Sequence, residues 1–408
     1  MSKRVEPEVE TFARIRVVGV GGSGKNAINH MITSKVRGVE FVVVNADAQD
    51  LHRSLAKRKI HIGKNLTRGL GTGMNPELGK RAADETRQEI QEALAGSDMV
   101  FITCGMGGGT GTGAAPIIAK IAKEVGALVI AVVTKPFSFE GAHRRDIAER
   151  GLAELKKEVD AFIVIPNDKL LSVVDPTMSA KGAFAMCDEI LRQAVEGVSD
   201  IITTPGEINT DFNDIKTVME SAGPALMGIG IAEGDDRAKE AAKMAVNSPL
   251  LDVSISGAKG ILFVVAGSDD LGITEVHDAA KVIGESVDKS AKIIFGIMHD
   301  HKLKKSQIRI IVIATGFPES AVHAAHAGSE RSLFSMPSEK RDEERGRIYN
   351  EILSTKGGSA SGGKQEEKPA KEEPMVTAAP HKREEPVAVP EDDETWGAIP
   401  AFLRRNKK

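Results

Sequence analysis

Large aromatic side chains are nearly missing from this sequence. Only 4% of its 408 residues are aromatic, with one Trp and one Tyr, so any core must be aliphatic. Cysteine is scarce as well. Two thiols, Cys104 and Cys187, exclude a disulfide framework and a thiolate-held metal. Their apolar or glycine-rich neighbourhoods predict small buried residues. No apolar run reaches the roughly 18 residues a membrane span needs, so direct membrane insertion is not expected. The opening MSKRVEPEVE is charged and lacks a following apolar stretch. That predicts no secretory signal and a soluble, cytoplasmic chain. Nor does one charge dominate. A formal net charge of −4 argues against a nucleic-acid binder working by phosphate neutralisation.

Glycine, by contrast, is abundant at 41 residues. Short apolar runs alternate with helical segments: Ile15–Val20, Phe41–Asn45, Met99–Thr103, Leu128–Thr134 and Phe162–Pro166. Near-continuous apolar strands between amphipathic helices predict a parallel sheet covered on both faces, a Rossmann-like α/β domain. Residues 178–202 predict one long helix. Phe184, Leu191, Val195, Val198 and Ile202 mark its buried stripe, and Pro205-Gly206 ends it. Beyond lie expected helices at Asp214–Met227, Asp236–Val246 and Thr274–Val287. Strands are expected at Gly260–Val265, Lys292–Gly296 and Gln307–Ala314, making a smaller α/β unit. A short charged helix is possible near Glu339–Leu353. Gly357–Pro390 has too few large apolar residues to offset its ordering entropy and reads as a disordered linker. In TWGAIPAFLRRNKK, apolar Trp396, Ile399, Phe402 and Leu403 return beside basic residues, the pattern of a docking peptide.

Two glycine loops carry the chemistry. The first, Gly19 to Asn26, follows a strand and opens a helix. Gly19, Gly21 and Gly24 satisfy the dinucleotide pattern G-x-G-x-x-G, with Asp47 where a ribose-binding acid would stand. The same residues satisfy most of a phosphate-binding G-x-x-x-x-G-K loop, but Asn26 stands where Ser or Thr would meet Mg²⁺. Either way, glycines let backbone amides approach phosphate oxygens at a helix N-terminus. This loop alone leaves a nicotinamide-dependent dehydrogenase open. The second loop, Gly105 to Gly113 (GMGGGTGTG), follows Met99–Thr103 and leads to a helix expected near Ala114-Ala115-Pro116, with proline in its first turn. Two such loops at one sheet edge can embrace a di- or triphosphate from both sides. A dehydrogenase needs only one.

The GGGTGTG segment resembles the signature of the tubulin/FtsZ superfamily, and the likeness to its bacterial cell-division branch, the FtsZ family, runs over residues 13–317 and the last dozen. The resemblance implies GTP or GDP as bound nucleotide, with Mg²⁺ held mainly by phosphates and water. It implies phosphate contacts from Gly21, Gly22, Ser23, Gly24, Lys25 and Asn26, with Asn45 beside them. A γ-phosphate loop would include Gly71, Thr72 and Gly73, and the second glycine loop would act through Gly107, Gly108, Gly109, Thr110, Gly111 and Thr112. Glu140 and Arg144 would face the sugar, and Asn167, Phe184 and Asp188 the guanine. Read without the resemblance, Phe184 is an ordinary core residue, Asp188 a helix-surface acid, Asp211 an N-cap and Asp214 a first-turn acid. The resemblance instead makes Asn209, Asp211 and Asp214 a catalytic loop that enters the nucleotide site of the next subunit. Ser23, Lys25 and Ala46 depart from the common family residues, and Lys25 is expected to extend into solvent.

The organisation so implied is an extension at 1–12, a GTP-binding domain at 13–177 and a central helix at 178–205. A C-terminal domain at 206–317, a flexible linker at 318–393 and a docking peptide at 394–408 complete it. The implied function is an assembly-stimulated GTPase forming a head-to-tail homopolymer in a midcell division ring. Membrane-tethering division proteins would bind through Trp396–Leu403. A GTP-binding scaffold without turnover is the remaining alternative. Removing residues 394–408 should leave GTP hydrolysis and filament formation nearly intact and abolish ring localisation, checked by turnover, sedimentation and imaging of a labelled variant. Loss of assembly in the truncated protein would place the peptide within the folded body.

Overall fold

The computed structural model describes residues 13–171, 178–203, 211–248, 255, 257–268, 270–300 and 303–317. Asn209, the Glu339–Leu353 segment, the linker and the docking peptide lie outside these residues. The chain opens with β1 (Ile15–Val20), α1 (Gly21–Thr33), β2 (Val39–Asn45), α2 (Ala48–His52) and β3 (Arg58–His61). Three helices follow, α3 (Lys64–Thr67), α4 (Pro76–Glu85) and α5 (Arg87–Leu94). Then come β4 (Met99–Gly105), α6 (Thr110–Glu124), β5 (Leu128–Lys135), α7 (Ala142–Glu158), β6 (Ala161–Pro166) and α8 (Asn167–Leu171). Strands β1 to β6 are parallel, in the order β3-β2-β1-β4-β5-β6. The strand order therefore reverses between β1 and β4. In open α/β sheets ligands bind at such a switch point, outside the carboxyl ends of the strands.

Period-two alternation sends successive side chains to opposite faces. Val17, Met99, Phe101, Ile130 and Val132 enter one core, while Val18, Val100, Ile102, Val129 and Ala131 enter the other. The second core is closed by α4, α5, α6 and α7. The first is closed by α1 and by α9 (Ala180–Thr203), whose Leu191, Ala194, Val195, Val198 and Ile201 are buried. At ~1.5 Å per residue the 24 residues of α9 span roughly 36 Å.

The chain continues through α10 (Phe212–Met219), β7 (Gly223–Glu233), α11 (Arg237–Val246) and β8 (Gly260–Gly267). It closes with α12 (Ile273–Glu285), β9 (Lys292–His299) and β10 (Gln307–Thr315). These four strands join the same sheet in the order β7-β10-β8-β9, with β7 parallel to β6 and β10 antiparallel to its neighbours. One core runs beneath both halves, because Met227, Leu262, Val264, Ile311 and Ile313 share it with α9. The opposite face of β8 and β10 packs under α11 and α12.

Three expectations need correction. The helix expected over Asp214–Met227 stops at Met219, and Gly223–Glu233 is a strand. Its glycines explain the change: a Cβ on Gly228 or Gly230 would lie 1.9 Å from the carbonyl oxygen of Ala245 or Ala241. The strand thus needs bare backbone where α11 lies on it. The helix expected near Ala114 begins at Thr110, so Pro116 sits inside it and not in its first turn. Phe184, assigned to the buried stripe of the long helix, is 46% exposed.

Helices α4 and α6 touch backbone to backbone, since a Cβ on Gly113 would stand 1.9 Å from the carbonyl oxygen of Pro76. Gly113→Ala should therefore destabilise the fold by about 1–3 kcal/mol through forced displacement of α4. Urea denaturation of both proteins measures this, and unchanged stability would show that the helices separate freely.

Candidate functional site

The two glycine loops meet at the switch point. Helix α1 begins at the carboxyl end of β1 and α6 at that of β4. A Cβ on Gly21 would lie 3.1 Å from the Gly111 nitrogen, and Gly21 has φ +72°, a conformation that disfavours any other residue there. Gly24 seats α1 on β4, because a Cβ there would be 2.5 Å from the Thr103 carbonyl oxygen. Neither helix has a side-chain N-cap or an acid in its first turn. Their first amides are thus left without side-chain acceptors, the arrangement that favours an anion. A third loop closes over them, where the hydroxyls of Thr72 and Thr110 are 3.1 Å apart.

A cleft of about 350 Å³ opens here, within the range of small-molecule sites. Of the residues expected to bind nucleotide, Gly21, Gly22, Ser23, Asn26, Thr72, Gly108, Gly109, Thr110, Gly111, Glu140, Arg144, Asn167, Phe184 and Asp188 line it. Gly24, Lys25, Asn45, Gly71, Gly73, Gly107 and Thr112 do not. Several of these support the loops from behind. The Gly107 amide donates to the Thr112 hydroxyl at 2.9 Å, and the Gly71 amide donates to the Ala46 carbonyl at 3.3 Å.

Lys25 overturns its expected solvent exposure. It is buried, and its ammonium pairs with Asp50 at 2.5 Å. Asp47 is also placed by geometry, as the N-cap of α2, accepting from the Asp50 amide.

Toward the opposite end of the cleft the polar groups become specific. Glu140 accepts from Arg144 at 2.7 Å and from the Phe137 amide at 3.0 Å, which fixes both carboxylate oxygens. Asn167 is buried, and among the described residues its side-chain oxygen has no hydrogen-bond partner. A buried unpaired acceptor beside a cleft awaits a donor. Burial pushes the Asp188 carboxyl up to about 6, against the pull of His30 and Lys25. Phe184 meets Phe137 edge-on with ring centroids 5.3 Å apart. The thiols are spectators, since burial pushes both Cys104 and Cys187 up to about 12 and removes their nucleophilic form.

Sequence reasoning missed Cys187 and Leu191 as cleft residues. Their signal was present: Phe184, Cys187, Asp188 and Leu191 fall at i, i+3, i+4 and i+7 on one helix face. Val20, Gly105 and Met106 also line the cleft, where β1 and β4 run into the two glycine loops.

Asp211 and Asp214 are elsewhere. Asp211 caps α10 by accepting from the Asp214 amide at 2.8 Å, and both acids are exposed. They follow the far end of α9, whose opposite end carries Phe184 and Asp188. Among the described residues, no group of three or more His, Cys, Asp or Glu could hold a metal, and no helix is long and apolar enough to cross a membrane.

Comparison with known proteins agrees with this architecture. Residues 14–175 match the Tubulin/FtsZ family, GTPase domain, and residues 223–318 match the FtsZ family, C-terminal domain. An empty FtsZ dimer from M. jannaschii is similar at 48% identity and a TM-score of 0.73, over 75% of this chain and 89% of that one. A point mutant of M. jannaschii FtsZ is similar at the same identity and TM-score, over 76% and 92%. CetZ2 from Haloferax volcanii, a GTPγS-bound protofilament, shares the fold at 22% identity and a TM-score of 0.64, over 78% and 97%. The sequence motifs, the switch-point cleft and these likenesses converge: the chain belongs to the FtsZ family of tubulin-like GTPases, with a cytoskeletal fold that binds GTP and GDP.

Proposed function

We propose that the chain polymerises head to tail, hydrolyses GTP at the junction between subunits, and builds the division ring at midcell. In this reading the phosphates lie on the first amides of α1 and α6, under the Gly71–Gly73 loop. The sugar meets Glu140 and Arg144, and the base enters between Phe184, Asn167 and Asp188. A carboxylate can accept from guanine N1–H and N2–H together, a donor pair adenine lacks. Mg²⁺ would be held mainly by the phosphates and water, neutralising charge on the transferring group. The docking peptide around Trp396–Leu403 would join the filament to membrane-tethering division proteins.

One observation carries this reading. Among the described residues, only Glu140 and Asp188 bring a carboxylate to the cleft: Glu140 is engaged by Arg144 and the Phe137 amide, and Asp188 belongs to the base end. The exposed pair Asp211 and Asp214 follows the far end of α9 in the chain, and the helix from Asp188 to Thr203 alone spans roughly 23 Å. The pair is held there by packing, because Ile215 and Met219 of α10 are buried in the core. A neighbour stacked along the filament could present it, with Asn209, to water at the γ-phosphate. Phosphoryl transfer needs chiefly such positioning and electrostatics, so turnover would rise with assembly.

The trans arrangement is tested by mixing two defective variants. Asp214→Ala should bind GTP, assemble and hydrolyse almost nothing. Gly108→Asp should not bind nucleotide, since nothing lies within 4 Å of a Cβ there and a carboxylate fits into the cleft. Mixed filaments should recover part of the parental turnover. Co-assembly without recovery would mean that each chain completes its own site.

The base assignment has a pH signature. Guanine binding favours ionised Asp188, so the bound carboxyl titrates below the free value of about 6. GTP affinity should therefore be full above that value and fall as pH drops through it, by up to about tenfold per unit. Asp188→Asn should lose this slope and much of the preference for GTP over ATP, a cost of about 1–3 kcal/mol. Calorimetric titrations between pH 5 and 8 measure both. A parental slope retained in Asp188→Asn would assign the titration to another group.

A further inference from the structure

We propose that Lys25 is a positioning residue that acts through Asp50: it cancels a carboxylate lodged against Gly22 and reaches no phosphate itself. The inference rests on the cleft being the nucleotide site.

Lys25 is the fifth residue of α1 and only 8% exposed. A lysine this buried is expected to be paired. Its ammonium lies 2.5 Å from Asp50 Oδ1. The other oxygen of Asp50 accepts from Asn45 Nδ2 at 2.8 Å. The ring then closes through the backbone: the Asp50 amide donates to Asp47 Oδ1 at 2.9 Å, and the Asp47 amide donates to Asn45 Oδ1 at 3.3 Å. Every member but Lys25 belongs to the β2–α2 turn. Lys25 is thus the strut that joins α1 to that turn.

Two features connect the strut to the phosphate site. A Cβ built on Gly22 would lie 3.4 Å from Asp50 Oδ2, so the carboxylate stands beside a residue that lines the cleft. Uncompensated, it would repel a di- or triphosphate across a short, partly dry gap. The turn also carries the Gly69–Gly73 loop: the Ala48 amide donates to the Gly69 carbonyl, the Gly71 amide donates to Ala46, and Asp47 bridges to Leu70. Thr72 of that loop lines the cleft, whereas Lys25 does not. The lysine fits the phosphate-loop sequence pattern, yet its charge is spent on a neighbour. Its field extends to the base end as well, where it helps hold down the Asp188 carboxyl that burial raises.

Calorimetric binding of GDP and GTP to the full chain, its Lys25→Met and Asp50→Asn variants and the double variant separates three roles. Here Lys25→Met should weaken both nucleotides about tenfold, by exposing an unpaired negative charge beside the loop. Asp50→Asn, which keeps its side-chain bond to Asn45, should bind nucleotide as tightly as the parent or tighter. The double variant should return to within about twofold of the parent. A double variant as weak as Lys25→Met would make Lys25 a direct phosphate ligand and overturn the proposal. Equal weakening by both single changes would reduce the pair to a scaffold contact and overturn it too. Should Lys25→Met not fold, the sign of Asp50→Asn alone decides: weaker binding rejects the proposal.

A second readout is the pH at which GTP affinity falls. It should move upward in Lys25→Met, since Asp188 then faces His30 alone on α1, with Arg144, Glu140 and Cys187 around the same cleft. An unmoved midpoint counts against the inference. Failure of the parent itself to bind GTP would instead remove the nucleotide reading beneath it.

Discussion

Two helices must start within contact distance of one another, and the rest of the molecule is arranged around that constraint. The first turns of α1 and α6 abut through Gly21 and Gly111, with α1 pressed to β4 through Gly24. Any side chain at these points would part the loops. The closeness places two sets of unpaired amides around one small volume, so their fields add where an anion would sit. Gly113 and Gly109 extend the same logic outward. A Cβ on either would strike the Pro76 or Thr72 region, so the third loop can close over the first two. A glycine-rich sequence with an aliphatic core is the chemical means to this end.

Helix α9 converts that local site into a property of the whole chain. Its first turns present Phe184 and Asp188 to the cleft, its middle turns are buried under strands of both halves of the sheet, and its last turn leads toward α10. A buried helix cannot bend cheaply, because interiors are packed as densely as organic crystals. The distance between the cleft and the far end of α9 is therefore fixed by the helix itself. His30 of α1 meets Glu189 of α9 at 2.8 Å, so the phosphate-end helix and the rod are joined directly. Burial raises the Glu189 carboxyl, but hydrogen bonds from Arg192 and His30 outweigh it and hold it down at about 2. The link is charged at any ordinary pH on its acid side.

Charge inside the site is handled by pairing wherever a group need not meet ligand, and left open where it must. Arg144 and Glu140 hold each other, as do Lys25 and Asp50. Asp188 and the Asn167 oxygen keep unmet capacity at the base end. Leaving a buried polar group unpaired costs of order 1–3 kcal/mol. Here that cost is concentrated where a base edge can relieve it, which makes binding sensitive to the donor pattern of the base.

How much of this is legible in the residues depends on range. The strands of the first half, the long helix and both glycine loops follow from short-range rules. Apolar period, glycine where backbone must approach backbone, and loops that open helices are written in consecutive residues, so the α/β class and the family are legible in the residues alone. Residues such as Gly71, Gly107 and Thr112 are found by motif, although they support the loops rather than line the cleft. The errors share one cause. β7 reads as helix because the need for bare backbone at Gly228 and Gly230 arises from α11, which lies on them only in the folded state. Lys25 reads as solvent-exposed because its partner is twenty-five positions away. Phe184 reads as core because helical spacing cannot tell a packed face from one that borders a cleft. Pairing of distant charges and the single sheet that unites both halves were decided by tertiary structure alone. Each depends on which elements become neighbours, and no local pattern of residues carries that information.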